Sequence, residues 1–170
     1  MIGALEYRLR VLEDGSLPAS HGTLMHAVSF YILHRFSPAL AAHVHDEMQE
    51  KPFTISFLAK QDGAKKWPAP AEGRWHLKAG NVLAWRVTAL TDEVWQAFKS
   101  LEHGTELTAG GMKLALAETL ADAERVPGTG EFEPQELIET CAAMPSPKEL
   151  TFDFRSVTAF RTDRYDVPWP

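Results

Sequence analysis

The chain has 170 residues, of which 45% are hydrophobic and 24% are charged, and this composition excludes collagen-like, coiled-coil and fully disordered proteins. It is long enough for one domain, or for one domain and part of another. The net charge of −6 argues against a general polyanion binder, but residues 1–90 carry 10 Lys/Arg against 8 Asp/Glu, whereas residues 101–150 carry 3 against 10. An anionic partner is therefore expected to meet the first half of the chain.

The sequence also limits the compartment. No apolar run reaches the roughly 20 residues that span a bilayer, and the N-terminal segment lacks the pattern of a signal peptide. The single cysteine, Cys141, cannot form an internal disulfide. Because two alanines follow it on a predicted short helix, we expect a packed thiol rather than a reactive one. These features favour a reducing, cytoplasmic setting without a membrane partner.

The first predicted elements are a strand and two helices. Apolar and charged residues alternate over Leu5–Val11, a period of two that predicts a half-buried strand. From His21 to about Phe36 the apolar spacing becomes that of a helix face. Ser37-Pro38 then predicts a new helix, because serine caps free N–H groups and proline is tolerated at the first helical position. This short second helix is expected to end before Lys51-Pro52.

The remaining elements are mostly strands. Alternation predicts strands over 53–57, 75–77 and 83–87, a helix over 91–101, and strand-like segments over 105–120 that break at two glycines. A short helix over 134–143 and a strand at about 150–154 complete the order.

This order predicts an α+β, ferredoxin-like fold (βαββαβ), with helices covering one face of an antiparallel sheet. We assign residues 1–148 to this domain. Residues 149–170 are predicted to be the first strand of a second, incomplete ferredoxin-like domain, because a lone strand has no sheet of its own. Since this fold hosts many functions, the function has to be argued from particular side chains.

A metal centre is not predicted, although five of the seven histidines lie before residue 46. On a helix, His43 and His45 would point about 200° apart, and His21 and His26 are poorly phased because facing pairs lie three or four residues apart. No HExxH motif, GxSxG elbow or phosphate-binding loop is present. The sequence therefore predicts neither a metal nor another cofactor.

A metal-free acid–base site is the remaining candidate. His45 lies near the end of the second helix, Lys51 follows that helix, and Tyr31 belongs to the helix before. A histidine exchanges protons near neutral pH, a lysine balances charge on a phosphorane, and a phenol donates a hydrogen bond. These groups suit RNA cleavage by the RNA's own 2′-hydroxyl. The alternative is that His45 is a purely structural residue at the end of a helix.

Three stretches resemble the N-terminal domain of the CRISPR repeat-RNA endoribonucleases, which belong to the repeat-associated mysterious protein (RAMP) superfamily. They are Leu17-Pro18 with the following His21, the segment SPALAAHVHD at 37–46, and KPFTIS at 51–56. A later segment, 150–161, is similar to the strand that opens the second domain of this family.

The resemblance implies metal-independent cleavage of the repeat in a CRISPR transcript, which leaves guide RNAs with 2′,3′-cyclic phosphate ends. It implies that His45 is the general acid/base and that Lys51 stabilises the transition state. The tyrosine that some members use falls at Phe30 or Tyr31; an ungapped comparison favours Phe30, and Tyr31 is the residue with the required hydroxyl.

The implied partner is CRISPR repeat RNA, and other CRISPR-associated proteins or a second copy of the chain, in a homodimer, are further candidates. Alternation places Trp75 and Trp85 on apolar faces, so both are expected in the core rather than stacked on bases. RNA contacts are predicted at four cationic residues, Lys60, Lys65, Lys66 and Arg161.

Two other functions remain open. One is a non-catalytic, RNA-binding RAMP subunit of a CRISPR interference complex. The other is a ferredoxin-like domain that binds a small molecule or a protein and has no nucleic-acid role.

The resemblance also implies a second domain with a glycine-rich loop, and this sequence contains no such loop, so we expect a fragment that binds RNA weakly by itself. Filter binding with repeat RNA should show weak retention that falls steeply as salt increases. Tight, repeat-specific retention by this chain would contradict the expectation.

Overall fold

The computed structural model describes residues 1–48, 50–60, 71–145, 159–162 and 165–168, without the side chains of Lys60 and of the last two segments. The elements in chain order are β1 Ile2–Val11, β2 Gly15–Pro18, α1 Gly22–Phe36, α2 Pro38–Ala42 with a π-helical turn His43–Glu47, β3 Phe53–Ile55, β4 Ala59–Lys60, β5 Arg74–Leu77, β6 Val82–Ala89, α3 Asp92–Lys99, β7 Glu106–Ala109, β8 Met112–Leu120, β9 Gly130–Phe132, α4 Pro134–Ala143, β10 Ala159–Thr162 and β11 Tyr165–Pro168. They fall into two units, Met1–Leu137 and Ile138–Pro170.

The first unit is built on an antiparallel sheet with the strand order β3-β6-β1-β8-β7. Strand β4 also pairs with β6, and β9 pairs with the start of β1. Helix α1 lies in the chain between β1 and β3, and α3 lies between β6 and β8. The order β3-β6-β1-β8 with these two helical connections is the ferredoxin-like plan, so the predicted fold class is confirmed.

The core is centred on β1. Its alternating residues Leu5, Tyr7 and Leu9 are all fully buried, as the period of two predicted. The Tyr7 hydroxyl donates a hydrogen bond to the carbonyl of Phe98 in α3 at 2.6 Å, so this face of the sheet meets α3. Trp85 on β6 lies beside the Tyr7 ring and is also fully buried, which confirms its predicted place in the core.

The junction between the first two helices follows the sequence signal. The backbone N–H of Ser37 donates to the Leu33 carbonyl at the end of α1, and its hydroxyl accepts from the N–H of Leu40 at the start of α2. Beyond Ala42 the helix does not continue as a regular α-helix. It widens into the π-helical turn, which buries Val44 and leaves its neighbours His43 and His45 exposed.

The second unit includes β10 and β11, which pair with each other. The strand predicted at 150–154 lies outside the described residues, and the domain boundary after residue 148 stays a prediction. Helix α4 has the predicted bounds, but the expectation that Cys141 is packed is wrong, because its side chain is exposed. In the described part of the chain, no helix has the length and apolar character needed to cross a lipid bilayer.

Gly3 is expected to be intolerant of a side chain. A Cβ atom there would lie 2.8 Å from the indole ring of Trp95, closer than packed carbon atoms approach. We expect Gly3→Ala to lower the free energy of unfolding by about 1–3 kcal/mol, the usual cost of overpacking. Urea unfolding of wild type and variant measures this change in the free energy of unfolding.

The matched control is Gly3→Ala combined with Trp95→Phe, which removes the ring atoms involved. The steric cause is supported if the double variant loses less free energy of unfolding than the two single variants lose in sum. Strict additivity would contradict it.

Candidate active site

His45 presents one imidazole nitrogen to solvent. Its side chain is 68% exposed, and its Nδ1 lies 2.7 Å from Oδ1 of Asp46. An ionised carboxylate only accepts hydrogen bonds, so this network assigns the proton to Nδ1. Nε2 is then the nitrogen that is available to a substrate, as acceptor in the neutral ring and as donor in the imidazolium.

Lys51 closes the end of the helix that carries His45. Its ammonium donates to the carbonyls of Val44 at 2.8 Å, His45 at 2.8 Å and Met48 at 2.7 Å. The last carbonyls of a helix lack partners within the helix, and a lysine is well suited to bind them. The structure thus brings His45 and Lys51 together, through the backbone of His45.

Phe30 contacts the His45 ring. The two ring centroids are 5.3 Å apart, in an edge-to-face arrangement. Tyr31 is the next residue along α1, about 100° further round the helix. It is 48% exposed, and the described residues give it no ring contact or hydrogen bond with His45. The hydroxyl predicted for this site is therefore not beside His45; the phenyl ring of Phe30 is.

A second histidine, His26, lies one helical turn before Phe30 on α1. Its ring is 5.0 Å from the Phe30 ring and stacks at 5.8 Å on Phe53 of β3. His26 is exposed, and its partial burial lowers its pKa, which the positive charges of Lys51 and His45 lower further. From the sequence, His26 was considered only as a metal ligand. The spacing of four residues between His26 and Phe30 is the signal that could have found it.

The remaining predicted histidines have other surroundings. His21 is 3% exposed, and its Nδ1 donates to the Pro18 carbonyl while its Nε2 accepts from the N–H of Leu58. His43 is paired with Glu47 at 2.7 Å. Among the described residues, no three His, Cys, Asp or Glu side chains are grouped so that they could hold a metal ion.

Four residues are predicted to contact RNA. Of these, Lys65 and Lys66 are outside the described residues. Lys60 pairs with Leu83 and Arg161 pairs with Asp166 through the backbone, and the side chains of Lys60 and Arg161 are not described. Of the two tryptophans expected in the core, Trp75 is half-buried.

Known proteins resemble the chain at the level of solved structures. No protein-family model matches it, and no curated protein matches it. The Cas6 (TTHB231) product complex is 29% identical with a TM-score of 0.59, and the match covers 82% of this chain and 48% of that one. The Cas6 (TTHA0078) product complex is 23% identical with a TM-score of 0.60, covering 98% of this chain and 58% of that one. A looser match is CRISPR associated protein Cas6, at 21% identity and a TM-score of 0.49, covering 70% and 48%.

The similarity to Cas6 confirms the resemblance to the CRISPR repeat-RNA endoribonucleases that the motifs predicted. The second product complex supports the fold alone, whereas the first adds sequence identity over most of this chain. The chain spans about half the length of these Cas6 structures.

His21 is expected to make stability depend on pH. Burial lowers its pKa below the ordinary value of 6.5, and hydrogen bonds to the Pro18 and Ala19 carbonyls oppose only part of this. Below about pH 6.5, unfolding of the protein is accompanied by protonation of His21. The contribution of neutral His21 to the free energy of unfolding is therefore complete above about pH 6.5, and it is lost as the pH falls through the lower pKa of the folded state. His21→Ala should cost about 1–3 kcal/mol at pH 8, since it leaves the buried Leu58 N–H without its acceptor.

The difference in unfolding free energy between wild type and His21→Ala should shrink between pH 7 and pH 5. Denaturant unfolding at several pH values measures it, with His34→Ala on the exposed face of α1 as the control. A difference that stays constant or grows on acidification would contradict this assignment.

Proposed function

We propose that this chain carries the acid–base site of a CRISPR-associated endoribonuclease that cleaves repeat RNA in precursor transcripts without a metal. The observation that carries the proposal is the contact of two histidine rings, His45 and His26, with one side chain, Phe30, beside the Lys51 ammonium. The similarity to Cas6 supports the class of substrate.

The reaction uses a nucleophile within the RNA. A base removes the proton of the 2′-hydroxyl, and the 2′-oxygen forms a bond to the adjacent phosphorus. The bond from phosphorus to the 5′-oxygen breaks, and an acid protonates the leaving oxygen. The products are a 2′,3′-cyclic phosphate and a 5′-hydroxyl, and the atoms balance without a water molecule.

The two histidines can share the proton transfers. His26 packs on two aromatic rings, remains exposed and faces two basic groups, so its lowered pKa favours the neutral ring and suits it to be the base. His45 is then the acid, because its Nε2 is free to donate while Asp46 holds its Nδ1. This use of a carboxylate to orient an imidazole is familiar from other acid–base enzymes.

The wider surface of the site is also a proposal. We assign binding of the RNA backbone to Lys60, Lys65, Lys66 and Arg161. We also assign residues 149–170 to the start of a second ferredoxin-like domain. The distribution of charge supports binding of RNA to the first half of the chain, because cationic residues outnumber acidic ones there.

The proposal predicts that both histidines are required for cleavage and not for binding. In this protein, His45→Ala and His26→Ala should each slow single-turnover cleavage of repeat RNA by about 10²–10⁴-fold, the usual contribution of a proton-transfer group. Repeat-RNA affinity should stay within about twofold of wild type. Cleavage is followed in EDTA on end-labelled RNA, and mass spectrometry identifies the cyclic phosphate.

The matched control is His34→Ala, since His34 is an exposed histidine on the same helix as His26. A 2′-deoxy substitution at the scissile nucleotide should block cleavage by wild type. Unchanged cleavage by His45→Ala removes the assignment. Tight binding of repeat RNA by wild type with no cleavage would favour the non-catalytic RNA-binding subunit.

A further inference from the structure

All three hydrogen-bond donors of Lys51 are occupied. An ammonium group carries three N–H donors, and those of Lys51 bind three backbone carbonyls at 2.7–2.8 Å. A lysine that stabilises a phosphorane by direct contact needs at least one donor aimed at a phosphate oxygen. Such a contact would here have to break a hydrogen bond at the end of the helix.

The carbonyls that Lys51 binds lie on both sides of His45. The Val44 carbonyl belongs to the peptide unit that enters His45, and the His45 carbonyl belongs to the unit that leaves it. Holding both peptide units restricts the two backbone dihedrals of His45, and these set the direction of its Cα–Cβ bond. The Lys51 side chain therefore restricts the direction in which the His45 side chain leaves the backbone.

The segment needs such a restraint. Residues 43–47 form a π-helical turn, a geometry that is rare, occurs mostly as single turns within helices and is frequent at functional sites. The third carbonyl, from Met48, lies just beyond the turn, so the ammonium ties the last residues of the helix to the chain that follows. His45 is exposed, and the packing of its ring on Phe30 is a single edge contact.

We infer that Lys51 is a positioning residue, which holds the peptide units on either side of His45 and thereby aims Nε2 of the imidazole at the scissile phosphate. Its catalytic meaning rests on the proposed function. The hydrogen bonds themselves are a property of the folded chain and can be tested without RNA.

A second effect of Lys51 supports its place in the site. Its positive charge lowers the pKa of His26, after burial and together with the charge of His45. The groups packed against His26 are the uncharged rings of Phe30 and Phe53, so Lys51 and His45 are the charged groups that the described residues bring to bear on it. Removal of the ammonium should therefore change both histidines, each in a different way.

The test compares Lys51→Met, which keeps an unbranched side chain as far as Cε but removes the donors and the charge, with Lys51→Arg, which keeps the charge. The planar guanidinium donates in a fixed fork, so it does not reproduce three bonds from one nitrogen. Lys113→Met is the matched control, because Lys113 is an exposed lysine paired with Glu13. Nitrogen-15 NMR of the imidazoles and amide hydrogen exchange are measured on the 170-residue chain.

In Lys51→Met, we expect amides of the π-helical turn to exchange at least tenfold faster, and the His45 ring to show a mixture of tautomers instead of a proton held on Nδ1. The pKa of His26 should rise towards 6.5. In Lys51→Arg, the pKa of His26 should stay lowered while the exchange rates at the turn still increase. If Lys51→Met leaves the His45 ring and the turn unchanged, the inference is overturned.

A kinetic measurement separates positioning from phosphate contact. In this protein, Lys51→Met should lower kcat by about 10–100-fold with little change in affinity, the loss that a small misplacement of a reacting group produces. The loss should be equal for phosphate and for either phosphorothioate diastereomer at the scissile position. A loss that depends on which non-bridging oxygen is replaced would show direct contact. If wild type does not cleave RNA, the proposed function fails, whereas the NMR result stands by itself.

Discussion

The burial of one face of β1 is the constraint on which the rest of the structure depends. Strand β1 is central in the sheet, and the hydroxyl of Tyr7 on its buried face fixes the end of α3 through the Phe98 carbonyl. From Phe98 a series of edge-to-face ring contacts leads outward through Phe53 and Phe30 to His45. The imidazole at the surface is thus supported from the core by a continuous line of aromatic side chains, a rigid base of the kind that precise catalytic geometry needs.

The polar half of the site is built differently. Asp46 and Lys51 contact His45 by hydrogen bonds at the surface, where exposed ion pairs alone contribute little to stability. Their contribution is to orientation, because one fixes the proton on the ring and the other fixes the backbone beneath it. The site therefore combines apolar packing, which sets position, with exposed hydrogen bonds, which set direction.

Local patterns in the sequence predicted most of the fold, and they placed His45 and Lys51 near the end of one helix, where the structure has them. The alternation at Leu5–Val11, the cap at Ser37 and the KPFTIS segment are short-range signals, and the structure agrees with each. The π-helical turn and the bonds from Lys51 depend on tertiary packing, which periodicity does not report. The rings of His26 and His45 both contact Phe30 although the two residues are 19 positions apart. Tyr31 has the expected hydroxyl, but a shift of one residue turns a helical side chain by about 100°. Cys141 was misjudged because neighbours along a helix do not reveal what packs against it.

The edges of the main sheet have a consequence for how the protein behaves in a crowded solution. One edge is formed by β3 and β4, which both pair with β6 and are separated by residues 56–58, and the other by β7, with four residues. Long, flat edges recruit strands from other molecules, whereas an interrupted or a short edge offers fewer unpaired backbone groups in a row. Phe53, which carries part of the aromatic support, lies on the interrupted edge, so the ring series reaches the rim of the sheet where the row of backbone groups is broken.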